Sequence, residues 1–442
     1  MPANLFSFPQ ETISLGFAIR DQMNSISEAP GKTWFWELAD AVIDAGRCVQ
    51  CGVCVAACPS DSIGVSEAGL PKLVKMCTGC SLCWDFCPRG GLRYEATWRE
   101  SAQVQSSEVK DPQISKVSLG RRSKTTPNKI TPTNVTALGV LEKGYAARVP
   151  TRIEGAQDGG VVSQILIALL EAGEIDGALL AKQSSTQSWK AEPYLAQTPQ
   201  DVRTSAGSYY NQTMALGHLD LSKYDLPKNP RIAMVGTPCE IQGIKALQAT
   251  RWSRGRSLVD SIGLTIALLC TKSFDYEKLI LGELKQKRGI DPSEIGRIDV
   301  IYGKLIVDSV KGSTLVAEPI KNFHGAALRG CDECADFLGR ASDISVGSVG
   351  SVAGWSSVLV RTEQGMRAFE KAWPKLQVRD LDNTQALEKL DALDKKIAFN
   401  ALQREFDPDG PLFIEFEDHL ENYMDSDRQV VGSSQRSRKE AV

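Results

Sequence analysis

The spacing of apolar positions changes character along the chain, and each change predicts a different element. The stretch DGGVVSQILIALLEAGEIDGALLA reads as a turn, a nearly all-apolar helix and a strand. RIAMVGTPCEIQGIKALQ reads as strand, tight turn and helix, and SIGLTIALLC is a continuous apolar run typical of a strand buried on both faces. RIDVIYGKLIVDS predicts two further short strands, and SSVLVRTEQGMRAFEKAW a strand followed by a helix. Strands alternating with helices predict an α/β domain built on a mixed, largely parallel sheet with flanking helices. Upstream, KTWFWELADAVIDAG predicts a short helix whose Trp34 and Trp36 cover the segment behind it. Residues 101–133 have no aromatics and many Ser, Thr, Lys and Pro, which is linker composition. The polar end, DSDRQVVGSSQRSRKEAV, is expected to fray.

Composition narrows the function classes. The 442 residues are 42% hydrophobic and 24% charged with a formal net charge of −3, so there is no basic footprint for nucleic acid. No uncharged apolar run approaches the roughly 18 residues that span a bilayer, and the N-terminus lacks a basic region followed by an apolar core. A protein without a membrane span, located in the cytoplasm, is expected. Twelve cysteines stand against three histidines, His218, His324 and His419. In a long chain with no export signal, that ratio points to thiolate ligands rather than disulfides.

Eight of the cysteines form a doubled motif. Cys48, Cys51, Cys54 and Cys58-Pro59 repeat as Cys77, Cys80, Cys83 and Cys87-Pro88, each C-x2-C-x2-C-x3-C-P. Two-residue gaps wrap three corners of a cubane, while the fourth cysteine reaches the neighbouring cluster. Cys48, Cys51, Cys54 and Cys87 are therefore expected to hold one [4Fe-4S] cluster, and Cys77, Cys80, Cys83 and Cys58 the other. Two zinc sites are the alternative. Gly52 and Gly79 suit close backbone approach to sulfur. Arg47, Lys72, Lys75, Arg89 and Arg93 lie near enough in sequence to offset cluster charge, or else are solvated. The segment resembles bacterial-type two-cluster ferredoxins, modules that pass single electrons.

Cys239, Cys270, Cys331 and Cys334 remain. Cys239 follows one expected strand in GTPCE, and Cys270 ends another. Ligands gather beyond the carboxyl ends of strands in open α/β sheets, so these two thiols can converge, with Cys331-x2-Cys334 supplying a second pair from a loop. The spacing alone leaves structural thiols and zinc equally open.

AQDGGVVSQILIALLEAGEIDGALL, GTPCEIQGIKAL, and RGCDECADFLGRASDISVGSVGS followed by SSVLVRTEQG are similar to the family of coenzyme F420 hydrogenase and dehydrogenase beta subunits. The likeness spans roughly residues 140 to 375, and the fused ferredoxin module resembles the input subunits of F420H2 dehydrogenases. The resemblance implies an FAD- and [4Fe-4S]-binding domain that exchanges a hydride with the deazaflavin F420. It makes Cys239, Cys270, Cys331 and Cys334 the ligands of a third cluster.

FAD follows from the resemblance alone, since neither G-x-G-x-x-G nor a Walker A loop is present. Asp158-Gly159-Gly160 opens a helix whose positive end suits an electron-rich ligand, or serves simply as a turn and cap. TSAGSYYNQ, Thr204 to Gln212, falls where the family has a Ser-Lys-Tyr-like stretch near the flavin. Ser208 and Tyr210 match that pattern, and Tyr209 replaces the lysine. Candidate partners for the anionic tail of F420 are Lys182, Arg203, Lys321 and Arg329. His324 is either a proton handler or a structural imidazole.

The resulting expectation has five segments: an N-terminal extension (1–40), a two-cluster ferredoxin domain (41–97), a linker (98–137), the flavin and cluster domain (138–424) and a flexible tail (425–442). The expected function is a redox relay between F420 and a partner protein or larger complex, with no side chain in covalent catalysis. The alternatives are a ferredoxin-dependent reductase of another organic substrate, similar to 7-hydroxymethyl chlorophyll a reductase, and an electron-transfer adaptor without its own substrate.

Overall fold

The computed structural model describes residues 34–80, 82–90, 135–218, 220–248 and 257–405. The extension up to residue 33, Arg93, most of the expected linker, His419 and the expected tail lie outside the described residues.

The cysteine-rich unit begins with a short helix, α1 (Phe35–Leu38), extended by wider π turns over Ala39–Asp44. Phe35, Leu38, Ala41 and Val42 are buried among Cys54, Cys58, Cys83, Cys87, Ile63, Leu73 and Trp84, so this helix supplies one wall of the unit. Trp34 and Trp36 stack with ring centroids 5.0 Å apart, and the Trp34 ring lies against Gly79 in the second cysteine loop. Each motif then forms a tight loop and one helical turn or so, α2 (Val53–Ala57) and α3 (Leu82–Asp85). Strands β1 (Ile63–Val65) and β2 (Pro71–Leu73) pair as a hairpin between the two motifs.

In the second unit, β3 (Val135–Thr136) and β4 (Gly139–Val140) form a small hairpin. The main sheet comprises β5 (Lys143–Arg148), β6 (Gly177–Gln183), β7 (Ala191–Ala196), β8 (Ile232–Gly236) and β9 (Ile262–Leu268) with three later strands. Strands β10 (Ile295–Ile301), β11 (Lys304–Ser309) and β12 (Thr314–Pro319) form a separate antiparallel meander. The sequence RIDVIYGKLIVDS thus supplies two of its three strands. Strands β13 (Ile344–Gly347), β14 (Ser356–Val360) and β15 (Gln377–Asp380) complete the main sheet, whose order is β15-β5-β14-β13-β9-β8-β6-β7.

Strands β6, β8, β9 and β13 run parallel, whereas β7, β14, β5 and β15 are added antiparallel. The expected mixed sheet is present, but parallel pairings are not the majority, because direct connections at β6–β7 and β13–β14 permit only antiparallel neighbours. β9 occupies the middle of the sheet, as its unbroken apolar run requires.

Helices α4 (Val161–Glu171) and, later in the chain, Glu363–Ala372 cover one face, with Ile165, Leu166 and Phe369 wholly buried. The other face is covered by α5 (Pro238–Gln248), and the cysteine-rich unit packs there: Val49, Val53, Leu82 and Phe86 share one apolar core with Met234, Ile241, Ile244 and Leu247. A Cβ on Gly243 would lie 2.2 Å from Val53 Cγ2, so the absence of a side chain on α5 lets α2 approach. Among the described residues, no helix is long and apolar enough to cross a membrane.

A buried ion pair fastens the two units. Arg47 Nε and Nη2 donate to the two Glu333 carboxylate oxygens at 2.6 and 2.9 Å, and Nη1 donates to Ala41 O at 2.5 Å. Both residues are nearly inaccessible, at 3% and 1% exposure. Glu333→Ala is expected to destabilise the protein by about 3–5 kcal/mol by stranding the guanidinium. Thermal melts of the two proteins test this; a melt within experimental error of wild type would show that the pair contributes nothing.

Candidate functional site

The twelve thiols gather in three sets of four. Cys48, Cys51, Cys54 and Cys87 face one another: the Cys54 thiol is pushed up by burial, then by Cys48 and Cys87. Cys58 crosses to the second motif, where it lines a cavity with Cys77, Cys80, Cys83, Ser60, Ile63 and Thr78. The third set lies at the carboxyl edge of the main sheet: Cys239 sits in the first turn of α5 just after β8, and Cys270 two residues beyond β9. Cys331 and Cys334 come from the 3₁₀ turn Arg329–Glu333 and the residue after it. Burial, followed by Cys331, Cys239 and Cys334, raises the Cys270 thiol.

The donor sets suit iron–sulfur cubanes. Main-chain N–H groups already point at sulfur: Gln50 to Cys48, Gly79 to Cys77 and Arg89 to Cys87 at 3.4 Å, Ser62 to Cys58 at 3.2 Å and Ser273 to Cys331 at 3.4 Å. Such donors stabilise thiolate charge in a dry site. Burial pushes the Cys48 thiol up to about 12 and the Cys331 thiol up to about 11, so loading metal must displace protons. Among the described residues, no three His, Cys, Asp or Glu side chains draw together tightly enough for a single ion.

The sets also approach one another. Cys51 shares a buried core with Cys239 and is raised by it, which joins the first set to the third. Cys54 likewise raises Cys83, which joins the first set to the second. The spatial order is third, first, second.

Sequence placed Lys72, Lys75, Arg47 and Arg89 together; the structure separates them. Lys72 and Lys75 are exposed on the hairpin side, whereas Arg47 and Arg89 are buried at the junction between units. Glu240, adjacent to Cys239, escaped sequence reasoning. Its carboxylate accepts from Thr237 N at 2.8 Å, and burial raises it to about 7. Glu333 was also missed, since a charged residue between two cysteines carries no burial signal in the sequence.

The residues expected at the flavin divide between two places. Asp158 and Tyr210 join a polar cluster: Gln157 Nε2 donates to Tyr210 Oη at 3.4 Å and to Asp299, and Arg297 Nη2 donates to Gln157 O at 2.8 Å. Burial raises the Asp158 carboxyl against the pull of Arg297, and burial raises Tyr210 to about 12. Gly160 takes a left-handed φ of 67° at the cap of α4. Gly159 has a packing role, since a Cβ there would meet Ala147 O at 2.4 Å, and its N–H donates to Ser356 Oγ.

The segment carrying half-buried Ser208 and Tyr210 continues to the third cysteine set. Phe274 N donates to Tyr210 O at 2.7 Å, while Gln212 Nε2 reaches Thr237 Oγ1 and Ser273 Oγ at 3.2 and 2.8 Å. Thr237 Oγ1 lies 3.1 Å from Cys239 Sγ. The tail candidates are dispersed: Lys182 lies over the Tyr194 ring on β6–β7, Arg203 lies in the last turn of the helix Pro199–Thr204, Lys321 is exposed, and Arg329 opens the Cys331 turn. His324 is exposed beside the Lys272–Asp332 pair, and burial and Lys272 lower its pKa.

Two models of one family match the α/β unit. The N-terminal part of the coenzyme F420 hydrogenase/dehydrogenase beta subunit matches residues 144–220, and its C-terminal part matches 229–384, together more than half the chain. The chain belongs to this family of beta subunits. A 4Fe-4S dicluster domain matches residues 41–93 ahead of it. Among the relatives of this beta-type chain is a coenzyme F420-dependent sulfite reductase of Methanocaldococcus jannaschii, 30% identical over 82% of this chain and 51% of that one. The chain therefore spans about half the length of that relative. The F-type polypeptide of the F420H2 dehydrogenase of Methanosarcina mazei is 27% identical over 77% of this chain and 86% of its own. A chain of the F420-reducing [NiFe] hydrogenase complex from Methanosarcina barkeri superposes with a TM-score of 0.54 at 25% identity, covering 61% of this chain and 93% of that one.

A helix behind the third set of this family member carries a titratable group. In α6 (Thr384–Glu405), burial and then Asp391 push the Asp394 carboxyl up to about 8. An unfolded aspartate titrates near roughly 3.9, so the folded state holds the extra proton between about pH 4 and 8. Its stabilising effect is complete below that window and is lost as pH rises through it. Asp394→Asn should reduce the fall in melting temperature between pH 5 and pH 8; an equal fall in both proteins would assign the pH dependence elsewhere.

Proposed function

We propose that the chain is an iron–sulfur flavoprotein oxidoreductase subunit that exchanges a hydride between coenzyme F420 and FAD. Single electrons then pass through three [4Fe-4S] clusters to or from a partner protein or larger complex. The observation that carries this reading is the chain of contacts third–first–second, starting beside the segment Ser208–Gln212. A bound flavin exchanges electrons in pairs as hydride and singly with clusters, which is the conversion a deazaflavin substrate requires.

The protein's own residues have defined tasks in this scheme. Cys239, Cys270, Cys331 and Cys334 hold the cluster nearest the flavin segment. Cys48, Cys51, Cys54 and Cys87 hold the middle one, and Cys58, Cys77, Cys80 and Cys83 the outermost. Asp158 and Tyr210 position the flavin from the polar cluster with Gln157 and Arg297, and Ser208 and the Gly159–Gly160 turn flank it. Lys182, Arg203, Lys321 and Arg329 are the candidates for the anionic F420 tail. The relatives' names, an F420-reducing hydrogenase, an F420H2 dehydrogenase and an F420-dependent sulfite reductase, support F420 as the hydride carrier and leave the direction to the partner.

Anaerobically reconstituted protein should contain about twelve irons at four per cubane, together with a flavin whose absorbance bleaches on addition of F420H2. Colourless protein, or zinc in place of iron, would remove the relay. Flavin that stays oxidised with F420H2 but turns over with reduced ferredoxin would favour a ferredoxin-dependent reductase. Cys270→Ala should lower iron by about four per chain and preserve flavin bleaching while stopping onward transfer to a one-electron dye. Undiminished onward transfer would mean that the third set is not on the path.

A further inference from the structure

We propose that Arg89 is a positioning residue that couples two cysteine sets: its main chain holds the first, and its guanidinium charge makes the third easier to reduce. This rests on the relay reading above. Arg89 follows Cys87-Pro88 and belongs to the cysteine-rich unit, yet it is only 3% exposed because it enters the loop that carries Cys331 and Cys334. Its N–H donates to Cys87 Sγ at 3.4 Å, and its Nε donates to the carbonyl of Gly330, the residue before Cys331, at 2.5 Å. Nη1 donates to Pro88 O at 2.6 Å, and Arg47 Nη2 donates to the Arg89 carbonyl at 2.9 Å.

Among the described residues this guanidinium acts on three thiols of the third set, Cys239, Cys331 and Cys334, and Lys272 acts on Cys331. Both oxygens of Glu333 accept from Arg47, Lys272 pairs with Asp332, and Asp336 lies 3.6 Å from Arg340. The Arg89 side chain hydrogen-bonds the carbonyls of Gly330 and Pro88 and the Cys334 thiol, and its charge acts on Cys334, Glu333, Cys239 and Cys331 as well as on Cys87 and Cys48 of the first set. Reduction of a cubane adds one electron and breaks no bond, so the negative charge of the set rises by one. A guanidinium held out of water stabilises that increment far more than a solvated one does. Arginine remains protonated at every working pH, so the effect does not titrate.

Since the arginine arrives with the cysteine-rich unit, the third set acquires its full potential only when that unit is seated. Docking and driving force are thereby linked: an isolated α/β unit would hold a cluster that is harder to reduce.

EPR-monitored potentiometric titration of the full, anaerobically reconstituted chain tests this, with the third signal identified as the one that changes in Cys334→Ala. In Arg89→Gln or Arg89→Met, the third signal is expected to shift to lower potential by at least tenfold in its reduction equilibrium, 59 mV for one electron. The second signal should not move, and Arg89→Lys should retain most of the wild-type potential. An assembled neutral variant with an unchanged third potential overturns the proposal. Should neither neutral variant retain iron while Arg89→Lys does, the charge requirement is upheld; loss of iron in all three variants assigns a packing role and overturns it. Absence of cluster signals in the wild type would instead refute the relay itself.

Discussion

Removing a guanidinium and a carboxylate from water costs several kcal/mol per ion, and only close geometry with further hydrogen bonds repays it. Arg47 and Glu333 meet that condition: both carboxylate oxygens are bound, and the remaining guanidinium donors reach the carbonyls of Ala41 and Arg89. The pair is a registration device. It fixes the ferredoxin-like unit against the turn that presents Cys331 and Cys334, and therefore fixes how the first and third cysteine sets face each other. The apolar contact of α2 with α5 supplies area, but a greasy contact can slide, whereas a bidentate pair has one register.

The sheet accounts for the other half of the arrangement. Adjacent parallel strands β8 and β9 end on the same edge, so the residues just past them are delivered to one place. Antiparallel strands added on both sides widen the sheet without interrupting that edge. The separate meander β10–β12 contributes Asp299 and Arg297 to the polar cluster around Tyr210, which connects a peripheral sheet to the region beside the third set.

Much of this was legible in the sequence because cysteine spacing is discrete. The spacing predicts that Cys58 and Cys87 cross between motifs; in the structure Cys58 lines a cavity with Cys77, Cys80 and Cys83, and Cys87 lies near enough to Cys54 to raise its thiol. β9 was legible from its unbroken apolar run. The proportion of antiparallel pairings was not, since strand direction depends on connections whose geometry a one-dimensional pattern does not encode. Arg47 and Arg89 look like Lys72 and Lys75 in sequence; only tertiary contact between residues far apart in the chain distinguishes a buried arginine from a solvated lysine. Glu333 was hidden for the same reason. Gly159 shows a different ambiguity, because its close approach to Ala147 O requires a glycine whether or not a ligand lies beside the turn.

The exchange of Cys58 and Cys87 between motifs has a consequence for biogenesis. In the arrangement proposed above, neither loop would own a complete quartet, so neither cluster could be closed by a contiguous stretch of nascent chain. Filling one site would draw together ligands of the other, and loss of either crossed thiol would open both loops at once.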